Sequence, residues 1–258
     1  MLKQYKGYLI DLDGTIYKGN HPFPEAIAFI KTLQQEAIPF MFVTNNATKS
    51  PEMVVKHLEQ FGLQVGCESV YTSALAAMDY LLEHHKGQQG LIIGESALKQ
   101  LVYENGFHKN ESVHADFVLQ ALDKSVTYEQ LQTASLAIQN GAKYIVTNRD
   151  EQYPVENGFI PGSGAITALL VAATRTEPVV MGKPSHYILD GALKRLGLSK
   201  ADVIMVGDNY HTDILVGVHN DVDTLLTLTG VTTREDVQTL DETLKPTYMV
   251  NHLGEWHI

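Results

Sequence analysis

Two aspartates one residue apart, Asp11 and Asp13 in "KGYLIDLDGTIYKG" (residues 6–19), follow directly on an apolar run. Carboxylates held that close repel each other, and a structural turn needs only one. Alternation along a strand projects both to one side and Leu12 to the other. Gly14 then permits a tight turn. Asp208, in "VGDNYHTDI" far along the chain, adds a third acid to a dense negative patch. Such a patch is tolerable around a hard cation. Mg²⁺ fits, because it takes oxygen ligands, keeps waters and binds through a few carboxylates plus substrate phosphate. The second aspartate has a use if one carboxylate attacks phosphorus while the other handles a proton, since an ionised aspartate needs no activating base. Lys183 in "GKP" brings positive charge to the transferring group, and Thr44 and Asn45 in "TNN" supply donors to its oxygens.

Each residue also has a plainer reading. Asp11 and Asp13 could form a turn pair, Lys183 a solvated surface charge, and Thr44 with Asn45 a helix-entry turn. An EF-hand is excluded, because Gly14 is the fourth position of the run and not the sixth. "GKP" is no P-loop: it lacks a Gly-rich lead-in, and Pro184 stands where Ser or Thr is needed. The 11 histidines show no metal-binding spacing. His84 and His85 read as a solvated helix end, and Cys67 as a small buried or half-buried residue with nothing to mark it as reactive. "PGSG" (161–164) could present N–H groups to an anion at a helix start or be a plain loop.

Positioning these groups falls to an alternation of strands and helices. "YLIDL", "PFMFV", "GLIIGE", "DFVLQAL", "KYIVTN", "DVIMVGD" and "DTLLTLTG" read as strands. "PEAIAFIKTLQQEA", "SPEMVVKHLEQFG", "ALAAMDYLLEHH", "TYEQLQTASLAIQNG", "GAITALLVAATR" and "HTDILVGVHN" read as helices. The stretch from Tyr153 to Gly164 reads as one long loop. The fold class expected is α/β, a doubly wound, mostly parallel, Rossmann-like sheet with both faces covered. "DLDGT", "TNN", "GDNYHTD" and "GKP" each follow a strand, so all four are expected along the carboxyl edge where such sheets bind ligands.

In order along the chain, "DLDGT", "VTNNAT", "GKP" and "VGDNYHTDI" resemble the four motifs of the haloacid-dehalogenase-like phosphatases. "TNRDEQYPVENGFIPGSGAI" and "LTGVTTREDV" resemble the NagD-type, nitrophenylphosphatase-like subfamily. The resemblance covers nearly the whole chain. It implies Asp11 as nucleophile and Asp13 as the acid that protonates the leaving oxygen and then as the base that activates water. It implies Mg²⁺ held by the Asp11 carboxylate, the Asp13 backbone carbonyl and Asp208, with Asp213 in support. Thr44, Asn45 and Asn46 would hold the phosphoryl group, with Lys183 beside it. It implies an α/β cap at residues 72–178, inserted between core segments 1–71 and 179–258. Asn148, Arg149 and Asp150, at the end of a predicted cap strand, are candidates for reading the leaving group. His211, where many members carry an acid, and "VGVHNDVDT", without the usual Ala-Gly pair, depart from the pattern.

The chain of 258 residues carries a formal net charge of −11. That argues against sequence-independent nucleic-acid binding, which needs a basic face. No apolar stretch approaches the ~20 residues that span a bilayer. One cysteine allows no intrachain disulfide and no cysteine metal cluster. The N-terminal "MLKQYKGYLIDLDG" lacks a signal-peptide pattern, so a cytoplasmic protein is expected. The expected partner is a small phosphorylated metabolite, with neither nucleic acid nor membrane, and a homodimer is compatible by analogy. The expected reaction is Mg²⁺-dependent phosphate-monoester hydrolysis. The alternatives are a phosphomutase on the same core and a non-catalytic phosphometabolite-binding regulator. A haloalkanoate dehalogenase would need neither Asp13 nor Asp208.

Overall fold

The structure, a computed structural model, describes residues 3–155 and 157–258. Met1 and Leu2 of the N-terminal stretch, and Glu156 within "TNRDEQYPVENGFIPGSGAI", lie outside the described residues. The chain divides into two compact units. The first comprises residues 1–44, 51–71 and 183–258, and the second 45–50 and 72–182. Both are built as helices on mostly parallel sheets, the α/β class expected from the alternation.

Apolar runs form the first unit's sheet because they can be buried on both faces. Gly7–Ile10, Phe40–Thr44, Val203–Gly207 and Asp223–Thr227 are buried almost throughout. With Val70–Thr72 and Tyr248–Val250 at the two edges they make six strands. Gly7–Ile10 lies between Val203–Gly207 and Phe40–Thr44, parallel to both. Helix Pro24–Gln35 has proline in its first turn, where the missing N–H costs nothing. It buries Ile27, Phe29, Ile30 and Leu33 against Tyr8, Ile10 and Phe42 of the sheet. Each such side chain contributes roughly 1.5–3 kcal/mol on burial. Helix Pro51–Gln60 adds Val54 and Leu58 to the same core.

The second unit holds a parallel sheet in the order Val179–Val180, Lys143–Val146, Phe117–Gln120, Gln89–Ile93, His108–Lys109. Helix Tyr128–Gln139 is started by a capping box between Thr127 and Gln130 and buries Ala134, Ala137 and Ile138. Gln120, fully buried in mid-sheet, is satisfied by Ser163, Thr167 and Tyr144.

Three expectations change. Tyr153 to Gly164 is not a long loop: Gln152–Val155 and Gly158–Pro161 pair as an antiparallel hairpin, and helix Ser163–Thr174 follows. Tyr153, Val155, Phe159 and Ile160 supply the strand-forming side chains that the prolines and glycines obscured. The run "PVVM" ends in the second unit's sheet, so "GKP" does not follow a strand of the first unit's sheet. "HTDILVGVHN" is not one helix. Tyr210–Ile214 forms a wide π-type turn, and Leu215–Val218 a single α-turn. Helix Ser96–Glu104, which buries only Leu98 and Val102, was not expected. Among the described residues no helix is long and apolar enough to cross a membrane.

Candidate active site

Three of the four polar clusters meet because three neighbouring parallel strands end together. Asp11 follows Ile10, Thr44 ends its strand, and Asp208 follows Gly207. The register pairs Ile10 with both Val206 and Phe42, and the Asp11 N–H donates to the Val206 carbonyl at 2.9 Å. The strand stops at Ile10, so the expected alternation does not reach the two aspartates. Asp11 and Leu12 are both buried, and Asp13 is exposed on the turn. The Leu12 carbonyl accepts the Ile16 N–H at 2.8 Å, and Gly14, at φ +90°, donates to the Tyr17 carbonyl at 2.7 Å. The two carboxylates therefore have different surroundings, one inside and one at the surface.

Lys183 Nζ lies 2.6 Å from Asp11 Oδ1, 2.7 Å from Asp213 Oδ1 and 2.8 Å from the Val43 carbonyl. Its side chain is 2% exposed. Asp213 Oδ2 also accepts the Asn209 N–H at 3.0 Å, which closes the turn after Asp208. Carboxylate oxygens of Asp11, Asp208 and Asp213 all lie within 4.8 Å of one another.

One buried ammonium faces three buried carboxylates, a net charge of −2 when all are ionised. Burial works to lower the Lys183 pKa, but Asp11 and Asp213 outweigh it and hold the ammonium charged. The surplus falls on the acids. Burial, only partly offset by Lys183, pushes the Asp11 carboxyl well above the usual carboxylate range. Burial and then Asp213 push Asp208 up to about 7. Burying an unbalanced charge costs several kcal/mol per ion. An all-oxygen donor set short of two positive charges suits Mg²⁺. The residues present therefore fit the cation expected from the sequence.

A fourth strand end completes this side of the site and was missed. After Asp223–Thr227 the turn carrying Thr229, Gly230 and Val231 wraps Asp208. The Val231 N–H donates to Asp208 Oδ2 at 2.8 Å, and Thr15 Oγ1 donates to Oδ1 at 3.2 Å. Thr229 Oγ1 donates to the Gly14 carbonyl at 2.6 Å, which ties this turn to the one bearing Asp13. The signal was present in "LTGVTT", a polar, glycine-containing turn after a strand of the same sheet. A Cβ on Gly230 would stand 1.8 Å from Asp208 Oδ2. Gly230→Ala must therefore displace that carboxylate. With Asp208 as the expected Mg²⁺ ligand, the Mg²⁺ concentration for half-maximal activation should rise about 10–100-fold, the usual cost of disturbing a ligand's support. A Mg²⁺ titration of activity checks this.

The other expected site residues belong to the second unit. Asn45 Nδ2 donates to Asp150 Oδ1 at 3.2 Å. Asn148 Nδ2 donates to the Asn45 carbonyl at 2.8 Å, and Asn148 Oδ1 accepts the Asp150 N–H at 3.1 Å. Asn46 Oδ1 accepts from Thr48 N and Oγ1 at 2.9 and 2.7 Å. Arg149 is exposed and pairs with Glu177. In "PGSG" the Gly162 and Gly164 N–H groups go to the carbonyls of Glu151 and Asp150, so those amides are committed to the backbone and not to an anion.

Comparison with known proteins places this arrangement. A family model described as haloacid dehalogenase-like hydrolase matches residues 8–108, and one described as HAD-hydrolase-like matches 180–256. The 5'-nucleotidase YutF of Bacillus subtilis is 41% identical over 255 residues, covering 99% of this chain and 98% of that protein. An acid sugar phosphatase of Staphylococcus saprophyticus is 43% identical over 254 residues, covering 98% and 97%. The crystal structure of a double mutant of a thermostable NPPase from Geobacillus stearothermophilus superposes with a TM-score of 0.92 at 42% identity, covering 99% of both chains. With two family models of haloacid dehalogenase type over most of its residues and phosphatase relatives more than 40% identical over nearly its whole length, the chain belongs to the haloacid dehalogenase-like hydrolases and is a phosphatase of that family.

Proposed function

We propose that the chain hydrolyses small phosphate monoesters with Mg²⁺, by two in-line displacements through an aspartyl-phosphate on Asp11. The observation that carries this reading is the pairing of buried Asp11 with buried Lys183 inside a carboxylate cluster short of positive charge. A residue that only filled a core would not hold three acids around one ammonium.

Asp11 Oδ attacks phosphorus while the bond from phosphorus to the leaving oxygen breaks. The exposed Asp13 carboxyl gives its proton to that oxygen. Asp13, now ionised, takes a proton from water, whose oxygen attacks the acyl phosphate and releases Asp11 and inorganic phosphate. Asp11 and Asp208 would hold Mg²⁺ with the Asp13 backbone carbonyl, and Asp213, which already anchors Lys183, supports them. When bound, the ion supplies positive charge to the phosphoryl oxygens and keeps the neighbouring acids ionised. Lys183 balances the phosphoryl charge from the other side. Thr44 and Asn45 donate to its oxygens, and Asn46 shapes the segment that follows them. Residues 72–182 serve as the cap.

The names of the relatives support small phosphorylated molecules as the substrate class, with a nucleotide, a sugar phosphate and an aryl phosphate all within reach of one phosphoryl site. Acid quenching of the protein during turnover of ³²P-labelled p-nitrophenyl phosphate should trap label in the peptide that contains Asp11, as an alkali-labile acyl phosphate. Asp13→Asn should increase the trapped fraction, because its second step lacks a base. Turnover with no label on that peptide would sink the mechanism.

A further inference from the structure

Several hydrogen bonds within the second unit converge on Asn45. Its backbone carbonyl accepts from Ser73 Oγ at 2.7 Å and from Asn148 Nδ2 at 2.8 Å. Its side-chain Nδ2 donates to Asp150 Oδ1 at 3.2 Å, and Asn148 and Asp150 are themselves joined, amide oxygen to N–H, at 3.1 Å. Ser73 is fully buried, and Asn45 and Asn148 nearly so. Gly182 closes another side: a Cβ there would stand 2.5 Å from Asn45 Oδ1 and 2.6 Å from the Thr147 carbonyl.

Two donors on one carbonyl oxygen fix the peptide plane that follows Asn45. A carboxylate accepts only, so Asp150 decides which end of the Asn45 amide faces it. Exposed substrate readers at a strand end do not need these bonds. A donor that must keep one orientation toward a phosphoryl oxygen does.

We propose that Ser73, Asn148 and Asp150 are positioning residues for Asn45 and that they do not read the leaving group. This rests on the reading of Asn45 as a phosphoryl donor. All phosphate monoesters share the phosphoryl group, so a loosened Asn45 weakens every substrate alike. A lost leaving-group contact weakens substrates unequally.

The test uses the full chain and the variants Asn45→Ala, Ser73→Ala, Asp150→Ala and Asp150→Asn. Each is assayed on p-nitrophenyl phosphate, a nucleoside 5'-monophosphate and a hexose phosphate, with inorganic phosphate as competitive inhibitor. Ser73→Ala and Asp150→Ala should each lower kcat/KM by about 10-fold, within what a small misplacement costs. The factor should be the same for all three substrates, and the inhibition constant of inorganic phosphate should rise in parallel. Asp150→Asn keeps an Oδ1 acceptor and should regain most of what Asp150→Ala loses. A merely structural defect would not raise the phosphate constant in step with kcat/KM, nor spare the Mg²⁺ dependence, which should stay unchanged here. Losses that differ between substrates while the phosphate constant holds would overturn the proposal. So would a loss in Asn45→Ala without one in Ser73→Ala. An unchanged phosphate constant in Asn45→Ala would instead overturn the reading of Asn45 on which the proposal stands. If Asp150→Ala does not fold, Ser73→Ala, which removes one oxygen, decides alone.

Discussion

Asp11→Asn should lower kcat/KM for p-nitrophenyl phosphate by at least about 10⁴-fold, the loss expected on removing the proposed nucleophile, which acts with its neighbours as a unit. The amide has nearly the shape of the carboxylate, but it cannot form the acyl phosphate. Folding should not suffer. Lys183 keeps Asp213 at 2.7 Å and the Val43 carbonyl at 2.8 Å, so its ammonium is not stranded. The cluster also loses one of its three buried acids, the one that burial, with Asp213 and Asp208 adding to it, pushes well above the usual carboxylate range. The melting temperature of the metal-free variant should therefore equal or exceed that of the parent, which differential scanning calorimetry can measure. A variant with substantial turnover, with deamidation excluded by mass spectrometry, would move the attacking group elsewhere. A variant that unfolds would show that the Asp11–Lys183 pair holds the unit together.

Removing divalent cations with EDTA should cut turnover to below about 1% and Mg²⁺ should restore it fully, because in the proposed mechanism Asp11 and Asp208 would hold an ion that supplies positive charge to the phosphoryl oxygens. A second signature lies in stability. Asp208 titrates near 7 in the metal-free cluster, through burial and then Asp213. Its unfolded value is about 4. Between those values the folded protein binds the extra proton, so metal-free stability falls as pH rises, by at most about 1.4 kcal/mol per unit for each such group. Mg²⁺ takes the deprotonated acids and competes with that proton. A few millimolar Mg²⁺ should therefore raise the melting temperature more at pH 8 than at pH 5. An equal rise at both pH values would mean that these carboxylates are not the ligands.

Much of the fold could be read from the residues because strands buried on both faces leave unbroken apolar runs. "YLI", "MFV" and "VIMV" are of this kind. Where burial is partial the signal weakens. The hairpin Gln152–Val155 with Gly158–Pro161 is mostly exposed, so its prolines and glycines dominated the pattern. The two-residue strand Val179–Val180 is half-buried and too short to reveal which sheet it joins. The site was legible in the same uneven way. Asp11, Asp208 and Lys183 were named from type and spacing and Asp213 from the family resemblance, and they do come together. Thr15, Val231 and Thr229 were missed, because a backbone N–H and two threonine hydroxyls look like any turn until the Asp208 carboxylate and, for Thr229, the Gly14 carbonyl that they bond are in place.

Sequence by itself determined which side chains could carry the chemistry and that strands bearing them would end together, three of the four expected doing so in one sheet, because parallel pairing aligns strand ends and residue type sets charge. Only the tertiary structure decided the environment of each group. It buried Asp11 and left Asp13 exposed two residues away, and it put one ammonium among three acids. It also tied Asn45 to Ser73, Asn148 and Asp150. Burial and contact between residues far apart along the chain depend on packing in three dimensions, and spacing along one dimension does not encode them.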